Sequence, residues 1–411
     1  MLPNRPILRL SLTIAVLLVA LPGAAQDLEG FKLFAPADLS EYGTGPKPKE
    51  GYFFSFEGLH WYTSPAKTTT IGAPGLTRTV LYGPDPAFDL AIQANSMDTS
   101  FFNAPPSAGN RIELGHISDC KGWMLSTYRL KTQNQTAVAS GVDMVFDDIA
   151  FGPGGAQLLQ GYVGIDLVDP TLIVVANLPV TFDEVSVRNS VSTWNVELMM
   201  LRRSRPNHYG GIFEWYAGVR YLEFDEIFSV FADGDVLNVA GITSTMADSN
   251  WDTEAENHIV GPQLGLRWFQ KRSRWTLSSE GRFMAGFNSQ NLHQTGLIGS
   301  ELSPPPSNAI AAPELFQPLV LGPTHFRHSA HITEWTPVVE LRAELKYQVT
   351  RSLSFKVGWT GIWMDNIARA SSLVNYELNG ESANGLMGLL RQNNSDDVFT
   401  HGLTVGFDIN H

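Results

Sequence analysis

From Trp194 to the C-terminus, apolar and polar residues alternate in short runs, and the gaps between runs are of two kinds. Trp194, Val196, Leu198 and Met200 fall on one face of an extended chain, with Thr193, Asn195 and Glu197 on the other. Successive side chains of a strand point to opposite faces, so this spacing predicts a strand with one apolar face. The rule repeats six times. Phe213, Trp215, Ala217, Val219 and Tyr221 oppose Glu214, Gly218 and Arg220; His258, Val260, Pro262, Leu264, Leu266 and Trp268 oppose Asn257, Gln263, Gly265 and Arg267. Trp275, Leu277, Gly281, Phe283, Ala285 and Phe287 oppose Thr276, Ser278, Glu280 and Arg282. Trp335, Val339, Leu341, Ala343, Leu345 and Tyr347 oppose Glu334, Thr336, Glu340, Arg342, Glu344 and Lys346. Leu353, Phe355, Val357, Trp359 and Trp363 oppose Ser354, Lys356 and Thr360, and Phe399, His401, Leu403, Val405, Phe407 and Ile409 oppose Thr400, Thr404, Asp408 and Asn410.

The gaps are sorted by length. Tight basic turns carry Arg202, Arg203 and Arg205, then Lys271, Arg272 and Arg274, then Arg351, and they alternate with long polar excursions. A membrane-spanning barrel has short periplasmic turns and longer outer loops, whereas a soluble sheet has no reason to sort its connections. Nearer the N-terminus, Tyr52, Phe54 and Phe56 alternate with Ser55 and Glu57, and Ile112 and Leu114 with Arg111 and Glu113. A turn at 118–121 leads to a further strand over about 122–130, whose facing the pattern leaves open.

The prediction is an all-β, antiparallel up-and-down transmembrane barrel of about ten strands (roughly 8 to 12) over residues 51–411. Its long extracellular loops fall near 63–108, 131–189, 223–255, 289–331 and 366–396. Aromatics on the apolar stripes form two girdles, as amphipathic rings do at membrane interfaces. Trp215, Trp268, Trp275 and Tyr347 stand at the turn ends, with Trp194, Tyr221, Phe287, Trp335, Trp363 and Phe399 at the loop ends. A soluble β-sandwich also alternates and stays open as an alternative. Outward Pro262 and Pro337 sit awkwardly in a central strand of either fold.

Composition adds an address. Arg5 and Arg9, the apolar run Leu10 to Leu21 and the small residues Gly23, Ala24 and Ala25 predict a Sec-type signal peptide over 1–25. Residues 26–50, with Gly43, Gly45, Pro46 and Pro48, read as a flexible periplasmic leader that could plug the barrel. The apolar stretch near 168–180 is broken by Asp169, Pro170, Asn177 and Pro179, so no later segment reaches the roughly eighteen apolar residues of a spanning helix. The single cysteine, Cys120, allows no internal disulfide, and no lipobox follows the leader. A formal net charge of -13 argues against nucleic acid as a partner.

Short stretches resemble a known family. They are Ser192-Thr193-Trp194-Asn195-Val196-Glu197, Trp215-Tyr216-Ala217-Gly218-Val219-Arg220-Tyr221-Leu222-Glu223 and Asn257-His258-Ile259-Val260-Gly261-Pro262-Gln263-Leu264-Gly265-Leu266. Glu57-Gly58-Leu59-His60-Trp61-Tyr62 and Gly109-Asn110-Arg111-Ile112-Glu113-Leu114-Gly115-His116 belong with them. Together they resemble the planctomycete outer-membrane beta-barrel protein family, the seventh so numbered. The resemblance spans most of the mature chain, and it implies an outer-membrane barrel without an established activity or catalytic residues. The chain departs from many barrels in following Phe407 and Ile409 with polar Asn410 and His411.

The inward positions collect Glu57, Arg111, Glu113, Glu197, Glu214, Arg220, Arg267, Glu280, Arg282, Glu340, Arg342, Glu344, Lys346, Lys356 and Asp408. Two readings stand: a charged constriction selecting permeating solutes, or a network of opposed charges filling a narrow lumen. A barrel near ten strands is only slightly wider than one that side chains fill outright, which favours the network. The stretch 223–256 holds nine carboxylates and no Lys or Arg; it could hold calcium, yet it lacks EF-hand spacing and reads better as a solvated loop. His325, His328 and His331 could chelate a metal only on a helix, since in a strand their parity alternates. His258 and His401 stand at the outer interface, where lipopolysaccharide phosphates or plain interfacial placement account for them.

No nucleophile, zinc-protease or nucleotide-binding motif is present, so neither catalysis nor a cofactor is expected. The expected partners are outer-membrane lipids, the barrel-assembly machinery, and cell-surface or small-solute partners. A structural or surface-interaction barrel is the first reading of function, and a small porin the second.

Overall fold

The computed structural model describes residues 51–72, 76–82, 88–93, 95–144, 150–151, 157–158, 173–175, 180–207, 210–234, 238–239, 242–243, 246–300, 324–376 and 388–410. The expected signal peptide (1–25) and leader (26–50) lie outside them. Ten strands form the wall: β1 (Gly51–Thr63), β2 (Pro106–Ser118), β3 (Lys121–Met144), β4 (Val180–Arg203), β5 (Gly211–Asp233), β6 (Met246–Arg272), β7 (Trp275–Ser300), β8 (Thr324–Gln348), β9 (Leu353–Ile367) and β10 (Asp396–Asn410). Each pairs antiparallel with its chain neighbours, and β1 closes onto β10, from Phe53 opposite Asn410 to Thr63 opposite Thr400. The sheet is therefore a closed barrel, and the sandwich alternative is excluded. Closure matters because lipid offers no partner to a free strand edge.

The tight connections sit at one end. Between β2 and β3, Asp119 and Cys120 both take positive φ, 48° and 65°, the geometry of a two-residue turn whose twist matches that of the strands. This hairpin settles the facing of β3: Met124, Ser126 and Tyr128 point inward and are buried, while Trp123 is exposed outside.

Outward residues from the turn end up to the upper girdle are apolar and exposed. Met200, Trp215, Leu264, Trp275, Phe287, Leu341, Leu403 and Val405 all expose between 50% and 66% of their surface, unless Leu and Trp side chains face lipid an unusual arrangement. Twelve residues separate Trp275 from Phe287, and Trp335 from Tyr347. At about 3.4 Å per residue and a tilt of about 40°, that is about 30 Å, the hydrocarbon thickness of a bilayer. Every predicted girdle residue lies on this outer face, and Trp123 joins the lower ring. Within it Trp275 and Tyr347 pack at 4.8 Å, and Trp194 and Tyr221 meet edge to face at 5.5 Å in the upper ring. No helix among the described residues is long and apolar enough to cross a membrane.

The strands do not stop at the upper girdle. β3 to β8 run for 23 to 27 residues, so much of 131–189, 223–255 and 289–331, expected as loop, is strand. β1, β2, β9 and β10 have only 13 to 15 residues and end near the girdle. A six-stranded wall thus rises past the belt on one side. Over it the faces exchange roles: Phe228, Val230 and Ala232 are buried inside, while Ser229 and Asp252 face outward.

The belt generates a test. Leu264→Arg, placing a charge on the outer face midway between the girdles, is expected to destabilise the barrel by about 2–4 kcal/mol in vesicles. Ser229→Arg, outward but above the belt, should leave stability unchanged, as denaturant titration of both variants in lipid vesicles would read.

Candidate functional site

One strand serves as a ruler for the interior. Along β5 the inward residues are Glu214, Tyr216, Gly218, Arg220, Leu222, Phe224, Glu226, Phe228, Val230 and Ala232. The order, from the turn end, is charge, apolar layer, charge, apolar layer.

All fifteen charged residues predicted to face the lumen do so, and Arg203, read from sequence as a turn residue, joins them. They make one connected network of eight cations and eight carboxylates. Lys346 bridges Asp408 (2.7 Å) and Glu344 (3.5 Å), and Lys356 links Asp408 (3.0 Å) to Glu57. Glu57 pairs with Arg111 (3.3 Å), which reaches Glu340 (3.4 Å). Glu340 is the hub: Arg220 (2.6 Å) and Arg342 (2.5 Å) also bond to it. Arg342 carries the path to Glu113 (2.7 Å) and Glu197 (3.8 Å), and Glu197 to Arg282. From Arg282 the chain of pairs runs through Glu280 to Arg267 (2.6 Å), Glu214 (3.4 Å) and Arg203. Neutral donors fill remaining sites on the acids, as Gln263 does on Glu197 and the Tyr216 hydroxyl on Glu214, both at 2.8 Å.

Aromatic faces lie against the guanidinium groups above and below. Arg111 stands 5.0 Å from the Trp61 ring and 5.5 Å from Tyr128, while Arg267 and Arg282 lie 5.3 and 5.4 Å from Tyr216. Rings satisfy cations without competing for the carboxylates, so they close the network with apolar surface. Beside it, between the Glu214 and Arg220 levels, Met124, Met199, Leu201 and Tyr216 pack with Ile117 as a small core. Above it, Trp61, Tyr128, Leu222, Phe224, Ile259, Met284, Val338, Ile362 and Met364 make an apolar layer across the lumen.

The upper mouth is filled by the chain after β9. Asn366, in the left-handed region at φ 56°, turns the chain inward, and its carbonyl accepts from Asn288 (3.2 Å), Gln290 (3.1 Å) and Thr336 (3.2 Å). Asn257 brackets Ala368, donating to its carbonyl (2.9 Å) and accepting from its amide (2.8 Å). Glu226 then receives four bonds: Arg369 Nε (2.8 Å) and Nη2 (3.0 Å), the Ala370 amide (2.9 Å) and Asn189 (2.8 Å). Ala370, Leu373, Val374 and Tyr376 complete an apolar core with Phe182, Phe228, Trp251 and Phe326. Burial alone pushes the Tyr376 phenol above its ordinary range, so it stays neutral there. Glu226 was hidden in the expected acidic loop and Arg369 in the expected 366–396 loop. The period of two kept by Leu222, Phe224, Phe228 and Val230 was the available signal for Glu226; nothing local marked Arg369.

The remaining candidates separate. His325 and His331 are exposed on the outside of β8 and His328 points inward, so the three share no site. Among the described residues no group of three or more His, Cys, Asp or Glu is placed to hold a metal ion. The Nδ1 of His258 lies 2.8 Å from the hydroxyl of Tyr221, and His401 stacks between Phe399 (5.0 Å) and Tyr62 (5.9 Å).

A family described as "Putative beta barrel porin-7 (BBP7)" matches residues 97–411. No curated protein matches the chain. Among solved structures, the outer membrane protease OmpT from Escherichia coli is 9% identical with a TM-score of 0.38, covering 91% of this chain and 99% of that one. The toluene transporter TodX of Pseudomonas putida is 8% identical with a TM-score of 0.21, covering 94% of each chain. TbuX of Ralstonia pickettii, also a toluene transporter, is 8% identical with a TM-score of 0.19, over 92% of this chain and 99% of that one. At these identities and scores the likeness does not extend to what those proteins cleave or carry.

Two substitutions test the interior. Arg342→Ala strands Glu113 and part of Glu340 and should destabilise the barrel by about 3 kcal/mol or more. An unfolding midpoint equal to that of the unaltered protein would show the network to be ornamental. Arg369→Ala leaves the buried Glu226 without its cation. Protease cleavage within 366–376 should then appear while the lower barrel keeps its heat-modifiable migration.

Proposed function

The chain belongs to the beta barrel porin-7 family, and we propose that this outer-membrane barrel acts as a closed structural and surface-interaction protein. The observation that carries the reading is the unbroken network of eight cations and eight carboxylates across the lumen, roofed by apolar side chains. A conducting path would have to part these pairs, and each buried charge left without its partner costs several kcal/mol. The filled upper mouth adds a second closure with its own ion pair, Arg369 with Glu226.

In this reading the tight turns lie in the periplasm and the six-stranded wall rises from the cell surface. Its outer face carries Glu223, Asp225, Asp252, Glu254 and Glu256 above the girdle. Such a face suits contact with surface partners rather than burial in lipid. The barrel has no catalytic role in this reading, and lipids and the barrel-assembly machinery are its expected envelope partners.

A small porin is the second reading, favoured by the family's description and by an open cavity at the turn end. That cavity, about 150 Å³ in volume, is lined by Arg203, Glu214, Arg267, Lys271, Lys346 and Asp408. It holds room for a few waters, at about 30 Å³ each. The network above it is what such a porin would have to open. Planar-bilayer recordings of purified, heat-modifiable protein decide between the two: the closed reading expects no discrete conductance steps, and stable unitary steps would replace it with the porin.

A further inference from the structure

We propose that Lys121 and Arg202, framed by Trp123 and Trp215, bind the phosphate of an anionic phospholipid at the turn end of the barrel. The inference rests on the membrane reading above; the orientation decides only which leaflet supplies the lipid. Lys121 on β3 lies directly opposite Arg202 on β4, and Arg202 directly opposite Trp215 on β5. Both cations are exposed and continue the outward stripes, Lys121 below Trp123 and Arg202 below Met200.

Two like charges directly opposite each other on a sheet repel and destabilise the pairing. Barrel cations in the lumen are each matched to a carboxylate, but among the described residues neither Lys121 nor Arg202 has an ion-pair partner. Glu214, next to Trp215, points inward and is already held by Arg203 and Arg267. Among the described residues Asp119, in the adjoining turn, forms no ion pair with either. The described wall thus supplies no counter-charge, and the pair stands open to an anion from outside it.

Its surroundings say which kind. Trp123, Trp215 and Met200 expose 37%, 58% and 66% of their surface immediately above the two cations. A ligand that meets both must carry a negative head and an apolar body. Cations below a tryptophan ring stand where headgroup phosphates meet hydrocarbon. A phospholipid with a net negative headgroup satisfies the pair of charges and covers the rings; a free phosphate does only the first.

The test uses full-length protein refolded in detergent, titrated with phosphatidylglycerol and, separately, inorganic phosphate, with bound lipid counted by native mass spectrometry. Lys121→Gln with Arg202→Gln should weaken phosphatidylglycerol binding about thirtyfold, from two surface cations. Arg205→Gln with Arg351→Gln removes equal charge from exposed turns and should leave binding near that of the unaltered protein. Lys121→Glu gives Arg202 an internal partner, so it should fold normally by heat-modifiable migration yet lose the lipid; it carries the test if the double variant does not fold. Equal binding by the double variant, equal loss in the turn control, or inorganic phosphate competing as well as the lipid would each overturn the assignment. A protein with no heat-modifiable form at all would instead fail the barrel reading.

Discussion

Eight cations and eight carboxylates share a lumen too narrow to hydrate them, and the rest of the barrel is arranged around their pairing. A charge in such a space cannot be left alone, so each residue of the network dictates where its partner's strand must stand. Glu340 on β8 holds Arg111 from β2 and Arg220 from β5, strands on far sides of the wall. Lys356 on β9 joins Glu57 on β1 and Asp408 on β10, across the seam where the barrel closes. The network therefore fixes register where backbone bonds alone allow slippage. A shift of one residue would send Glu57 into lipid and Phe56 into the charges.

That constraint lives below the upper girdle and gives way above it to its inverse. In the belt the outside must be apolar because lipid surrounds it, and the inside carries the polar groups. Beyond the girdle the outer face of β3 to β8 is mixed, with Glu223, Asp225 and Asp252 beside exposed Ile227 and Phe231, and the inner face becomes an ordinary apolar core. Glu226 marks the junction. It is the one carboxylate facing that upper interior from β5, and it is saturated by four hydrogen bonds, two of them from the guanidinium of Arg369. The plug segment is thus held by directed bonds to a point, while Leu373, Val374 and Tyr376 supply area.

The same inversion explains what could and could not be read in the chain. Wherever the outer stripe was apolar, parity placed Glu280, Arg282, Glu340, Arg342 and their neighbours on the correct face, because one criterion, lipid contact, governed each strand. The strand count and the girdles followed from it. Above Tyr221 that criterion ceases to apply, and the polar residues from Glu223 to Glu256 look like loop although Phe224, Phe228 and Val230 keep the period of two. Glu223, Asp225, Asp252, Glu254 and Glu256 of the acidic run stand on the outer face of two paired strands, while Glu226 points inward. Arg203 kept the parity of Glu197 and was missed only because it was read as part of the turn. Arg369 was beyond such reasoning for another reason: its partner Glu226 lies 143 residues away, and pairing at that distance leaves no local periodicity to detect.

The uneven height of the wall then becomes intelligible. Four short strands, β9, β10, β1 and β2, end near the girdle, so on that side the upper core would lie open to water. The connection leaving β9 covers it, since Ile367 ends the strand and Asn366 has already turned the chain inward under three side-chain donors. A longer β9 would forbid that turn. The tall strands and the inward segment are therefore two halves of one solution: extra wall creates an apolar interior above the membrane, and the chain that the short strands release is what fills it.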